Sequence, residues 1–111
     1  MISTRDAGGT RILTVEDRRI DAAGAVDFKA AAHAALDGWD GDVVMDLGGV
    51  DFVDSSGLGA LVAVSKMVPG RRLGLAGCGA PVTKVLTLTR MDRVFDLFPD
   101  AEAALAARAA A

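Results

Sequence analysis

The residues with chemical potential gather in one stretch, "VVMDLGGVDFVDSSGLGALVAV", Val43 to Val64. Asp54, Ser55 and Ser56 stand there between two apolar runs, followed by Gly57 and Gly59. A carboxylate beside two hydroxyls fits a helix cap, a nucleophilic serine or a serine that another protein modifies. The nucleophile reading lacks its parts. A hydrolase elbow needs Gly-x-Ser-x-Gly with a histidine downstream, but the single histidine, His33, precedes the serines. No lysine follows the glycines as a nucleotide-triphosphate loop requires, and neither "GGVDF" nor "GLAGCG" matches a dinucleotide fingerprint. The chain is therefore not expected to be an enzyme or to need a cofactor. One cysteine, Cys78, and one histidine make neither an internal disulfide nor a His/Cys metal set. Cys78 is expected to be a half-buried packing residue, because no basic neighbour in the sequence lowers its pKa.

Two readings of the serines remain. Amides in the first turn of a helix lack intrahelical partners, so the oxygen of Ser55 or Ser56 is expected to cap the helix that follows. The same free amides and the positive end of the helix also favour a phosphate on one of these serines, with Gly57 and Gly59 keeping the approach open. Phosphorylation there would place new charge beside Asp54 and change how the surface meets a partner.

Around this joint the hydrophobic pattern alternates between strand and helix. "MIST" is a short possible strand, "RDAGGT" reads as a turn, and Thr10–Val15 as a better strand. "RRIDAAG" is expected to carry the end of that strand into the next element. Phe28, Ala31, Ala32, Ala35 and Leu36 then recur at helical spacing within Ala25–Leu36, with His33 off the stripe. Trp39 is expected to fold back over the edge of the domain. Asp42–Leu47, apolar on nearly every position, predicts a central strand covered on both faces. Gly57–Val68 predicts the second helix, Arg72–Gly77 a strand, and Pro81 the first turn of a third helix. "RVFDLF" is a last short strand, and Asp100 caps an alanine-rich helix with Glu102 in its first turn. Helices between successive strands imply parallel pairing in one α/β domain, residues 1–111. Phe52 is expected in the core.

Composition narrows the partners. The chain is 51% hydrophobic, enough for a core, and only 5% aromatic, which disfavours a face for stacking bases or sugars. A net charge of −3 leaves no footprint for a phosphate backbone, so no direct nucleic-acid binding is expected. "DRR" and "RRL" read as solvated surface. No secretory leader is visible, and no apolar run approaches the roughly 18 residues of a membrane span. A cytoplasmic protein without membrane insertion is expected.

The motif stretch resembles the signature of STAS domains, the sulfate-transporter and anti-sigma-factor-antagonist family. "RIDAAGAVDF" is similar to that family's passage from its second strand into its first helix, and "RLGLAGCGAPVTKVLTLTRMDRVFDLFPDAEAAL" to its second half. The likeness spans nearly the whole chain. Asp-Ser-Ser-Gly-Leu-Gly between strand and helix is the specific part. Gly24, Val26 and Cys78 depart from the residues usual at their places. The resemblance implies a STAS-like α/β fold with a mixed central sheet of four to five strands and about four helices. It also implies an anti-sigma factor antagonist. The unmodified protein binds an anti-sigma factor that is a serine kinase, phosphorylation of Ser56 switches the protein off, and a serine phosphatase restores it. Asp21, Asp54, Ser55, Ser56 and Gly57 are the partner-binding residues this implies. The alternative is a non-enzymatic adaptor in a lipid-transport or larger signalling complex. Oligomeric state stays open.

Overall fold

A computed structural model describes residues 1–110. Strands β1 (Ile2–Ala7), β2 (Thr10–Val15), β4 (Asp42–Asp46), β6 (Gly74–Ala76) and β7 (Asp96–Phe98) form one sheet in that spatial order. β1 runs antiparallel to β2, and every other pairing is parallel. Two further strands, β3 (Arg19–Ile20) and β5 (Phe52–Val53), pair in parallel as a separate small ribbon. Helices α1 (Ala25–Ala35), α2 (Ser55–Ser65), α3 (Ala80–Leu88) and α4 (Ala101–Ala110) complete the fold, with a one-turn 3₁₀ helix at Met91–Arg93.

The alternation within each strand decides which helix it meets. Leu13, Val15, Val43, Met45 and Leu75 share one core with Phe28 and Ala32 of α1, Leu61 and Val64 of α2, and Val82 and Leu86 of α3. Ile12, Val44 and Ala76 point the other way, against Ala101 and Ala104 of α4. β4 is thus buried on both faces along Val43, Val44 and Met45, which is why those three consecutive residues are apolar. The small α4 alanines let that helix lie close to the sheet. Near its end Arg108, its side chain only 8% exposed, reaches Asp96 at 3.2 Å and the Arg72 carbonyl at 2.7 Å.

Several boundaries differ from the sequence expectation. β1 extends through Asp6 and Ala7, and the turn shrinks to Gly8 and Gly9, whose φ values of 54° and 82° suit glycine. A salt bridge between Arg11 and Asp6, at 2.7 Å, ties the two strands beside that turn. β2 stops at Val15 rather than running into Arg19 and Ile20, which pair instead with Phe52 and Val53. α2 starts two residues earlier than expected and ends at Ser65. Trp39 does fold back: its Nε1–H donates to the Asp42 carbonyl at 3.0 Å, and the Arg11 guanidinium lies 4.4 Å from its ring centre. Asp100 caps α4, accepting from the Ala103 amide at 2.8 Å. Among the described residues no helix is long and apolar enough to cross a membrane.

Candidate functional site

The β3–β5 ribbon places the site. Its register pairs Arg19 with Phe52 and Ile20 with Val53. Ile20 and Val53 face inward and are buried, so Arg19 and Phe52 face out. Side chains alternate along a strand, which brings the next residues, Asp21 and Asp54, towards the outer side as well. Phe52 is 38% exposed and is not a core residue as the sequence suggested. The core takes Val50 and Val53 from this segment, both buried.

Asp54 leaves β5 in an extended conformation (φ −97°, ψ −173°) and caps α2. Its Oδ1 accepts from the Gly57 amide at 2.8 Å. The cap is therefore the aspartate, and neither serine takes that role. The spacing explains the choice: from Asp54 the carboxylate reaches the amide of the third helical residue, the usual capping geometry. Oδ2 turns the other way and accepts from the Ala22 amide at 3.1 Å, fastening the β3–α1 turn to the start of α2. The Gly57 amide is the main cause holding the Asp54 carboxyl below its ordinary value of 3.8. The amides of Ala22 and Ser56 and the charge of Arg19 act in the same direction, against partial burial. Asp54 is an anion at neutral pH.

Ser55 and Ser56 are the first two residues of α2 and both are exposed. Neither hydroxyl has a hydrogen-bond partner among the described residues, so both are open to solvent. Gly57 is buried, at the third position of the helix rather than the first. A Cβ there would run into the Ile20 carbonyl, 2.6 Å from its carbon. Glycine lets α2 dock against β3, so the open space expected at Gly57 is absent; at Gly59 nothing lies within 4 Å of a Cβ.

Asp21 is half-buried beside Asp54. Its Oδ1 accepts from the Gly24 amide at 3.3 Å and its Oδ2 pairs with Arg19 Nε at 3.1 Å. The Arg19 guanidinium lies 4.0 Å from the Phe52 ring centre, a cation–π contact. Arg18 pairs with Asp51 at 2.7 Å on the same ribbon. Between β3 and α1 opens a cleft of about 480 Å³, lined by Arg19, Ile20, Asp21, Gly24, Asp27 and Phe28 among others. The structure thus brings Asp21, Asp54, Ser55 and Ser56 onto one surface, with Gly57 beneath it. Arg19 and Phe52, which sequence reasoning set aside as solvated charge and as core, belong to the same surface. The alternation Arg19-Ile20-Asp21 against Phe52-Val53-Asp54 was the signal that could have placed them.

The remaining candidates lie elsewhere. His33 is exposed on α1. Cys78 sits half-buried between β6 and α3, where burial, with a smaller contribution from Asp46, pushes its thiol up to about 11. No cluster of His, Cys, Asp or Glu among the described residues is arranged to hold a metal ion.

An anti-sigma factor antagonist from Mycobacterium paratuberculosis has a similar structure at a TM-score of 0.84 and 27% identity, with 98% of this chain and 93% of that one covered. An anti-sigma-factor antagonist (STAS) domain protein from Planctomyces limnophilus matches at 0.85 and 23%, over 96% of each chain. The murine solute carrier 26 anion transporter A9 contains the same fold, at 0.83 and 23%, over 96% of this chain but 19% of the transporter. The sequence model of the STAS domain matches residues 1–104. A mixed five-stranded sheet with four helices, this motif at the start of α2 and that match together place the chain in the STAS domain family.

Proposed function

We propose that this protein is an anti-sigma factor antagonist working by partner switching. In its unmodified form it binds an anti-sigma factor that is also a serine kinase, through the surface of Asp21, Asp54, Ser55 and Ser56 that Gly57 supports. The kinase phosphorylates Ser56 and the complex separates; a serine phosphatase reverses the modification. Support comes from the fold it shares with antagonists, the Mycobacterium paratuberculosis protein above all. The observation that carries the reading is the solvent-open Ser56 hydroxyl on the first turn of α2, directly beside an ionised carboxylate.

The chemistry belongs to the partner. A kinase moves the γ-phosphoryl group of ATP to Ser56 Oγ: the Oγ–P bond forms, the bond to the departing ADP oxygen breaks, and the hydroxyl proton is released. This chain supplies an accessible acceptor and a binding surface. Phosphorylation adds about −1.5 to −2 charges. Of the first-turn amides, that of Gly57 is already engaged by Asp54. A partner fitted to a neutral hydroxyl then faces a dianion beside a carboxylate, and uncompensated charge in an interface costs several kcal/mol, which corresponds to roughly 100-fold or more in affinity.

The test is phosphopeptide mass spectrometry after incubation with a serine-kinase anti-sigma factor and ATP, paired with calorimetric titration. Wild type and Ser55→Ala should be labelled on Ser56, Ser56→Ala should not be labelled yet should bind, and the phosphoprotein should bind at least ~100-fold more weakly. Label confined to Ser55, or unchanged affinity after modification, would remove the switch.

A further inference from the structure

We propose that Arg19 is the intramolecular counter-charge for a phosphoryl group on Ser56, and that it leaves Phe52 and Asp21 to take that role. The inference rests on Ser56 being the phosphoacceptor and adds how the modification spreads across the surface. Its starting point is that the capping position of α2 is already taken by a carboxylate: Asp54 accepts from the Gly57 amide of the helix and from the Ala22 amide outside it. A new dianion on Ser56 therefore meets a negative neighbour at the cap, and draws a cation from nearby.

Two arginines stand side by side here, Arg18 just before β3 and Arg19 within it. Arg18 sends both Nε and Nη2 to Asp51, at 3.2 and 2.7 Å. Arg19 is differently held. Only its Nε is engaged, by Asp21 at 3.1 Å, and its two terminal nitrogens make no hydrogen bond among the described residues. Its side chain is 59% exposed, and its plane rests on the Phe52 ring. The ribbon register puts it on the outward side that continues into Asp54, and its charge already helps hold Asp54 ionised. A guanidinium whose terminal nitrogens are free, held by one ion pair and by stacking on Phe52, suits the bidentate geometry that arginine makes with phosphate. The single exposed pair with Asp21 is a weak competitor.

The exchange rewrites three places at once. Ser56 gains a phosphate paired to Arg19, Asp21 loses its cation, and the Phe52 ring loses its cover. A partner docked on the unmodified surface meets all three changes, so the effect of phosphorylation is not confined to the modified hydroxyl.

The experiment installs phosphoserine at position 56 by genetic encoding, which needs no kinase, and follows the phosphate by ³¹P NMR as a function of pH. The second phosphate ionisation, near 6 for an ordinary phosphoserine, should rise by about half a unit in Arg19→Gln, the shift expected on losing an exposed ion pair. Arg18→Gln should titrate like the unsubstituted phosphoprotein, and Arg19→Lys should recover part of the shift. The Arg19 Nε–H resonance should also move when position 56 changes from serine to phosphoserine, as the group leaves the Phe52 ring. Equal titration of the Arg19→Gln and Arg18→Gln phosphoproteins would overturn the proposal. Failure of a kinase to label Ser56 would instead overturn the phosphoacceptor reading, whatever the NMR result.

Discussion

Gly57 and Gly59 lie two residues apart on one helix, and the structure assigns opposite outcomes to the same substitution. A Cβ at Gly57 would overlap the Ile20 carbonyl oxygen, stand 2.6 Å from its carbon and 3.2 Å from Ile20 Cγ2. Carbon atoms in contact ordinarily stand about 3.5–4.0 Å apart, so α2 must retreat from β3 by about 1 Å. Overpacking of this kind costs about 1–3 kcal/mol. The retreat also stretches the Asp54 amide's bond to the Ile20 carbonyl, already 3.3 Å long, and a backbone hydrogen bond contributes about 0.5–1.5 kcal/mol. Alanine's better helix propensity returns about 0.5–1 kcal/mol. Gly57→Ala should therefore lose about 1–3 kcal/mol net, equivalent to a fall in Tm of roughly 10 °C for a domain of this size. Gly59→Ala meets nothing within 4 Å and keeps only the propensity gain, so its Tm should rise by a few degrees. Differential scanning calorimetry of the two variants beside the wild type decides the matter. A Gly57→Ala protein as stable as the wild type, or shifts of the same sign in both variants, would refute the close approach of α2 to β3. The packing also means that Gly57→Val should damage folding at least as much as modification, contrary to what an open glycine at the helix start would imply.

Three further outcomes follow from the same site and its surroundings. Because Asp54 caps α2, Ser56→Ala should leave Tm within about 1 °C of the wild type, since exposed substitutions away from such features are nearly neutral, whereas Asp54→Ala should lower it measurably. The Asp54 carboxyl is lowered chiefly by the Gly57 amide, so the unfolded chain takes up that proton first. Its stabilising contribution is complete above the ordinary value of 3.8 and is lost as pH falls through the lower folded value; urea midpoints of Asp54→Asn should accordingly depend less on pH below about 4 than those of the wild type. Burial raises the Cys78 thiol to about 11 from 9.0, which lowers its thiolate fraction about 100-fold at pH 8. Alkylation by iodoacetamide should be far slower in the folded than in the urea-unfolded protein, and similar rates would contradict the buried position.

Much of the architecture was legible in the chain because local chemistry and burial agree there. The consecutive apolar residues Val43, Val44 and Met45 at the centre of β4 call for a strand covered on both faces, and α4 on one side with α1, α2 and α3 on the other supplies it. Trp39 and Asp100 also acted where their own chemistry pointed, the first through a local carbonyl and the second through the usual reach of a capping carboxylate. The motif Asp54-Ser55-Ser56-Gly57 marked the joint between strand and helix for the same reason. What the chain alone left undecided was the assignment of roles within that joint. Either serine was expected to cap the helix, but Asp54 takes that place through the Gly57 amide and is fastened as well to Ala22, 32 positions away in sequence. Gly57 looked like open space because the carbonyl it meets belongs to Ile20 on a different strand. Phe52 and Arg19 looked like core and solvated charge for a similar reason. Their outward positions follow from a two-residue pairing between distant segments, and the alternation on each side of it carries meaning only once the two segments are known to pair. Periodicity and capping preferences report on neighbours along the chain, whereas this surface is made by contacts across it. The ribbon therefore became visible only once β3 and β5 were side by side.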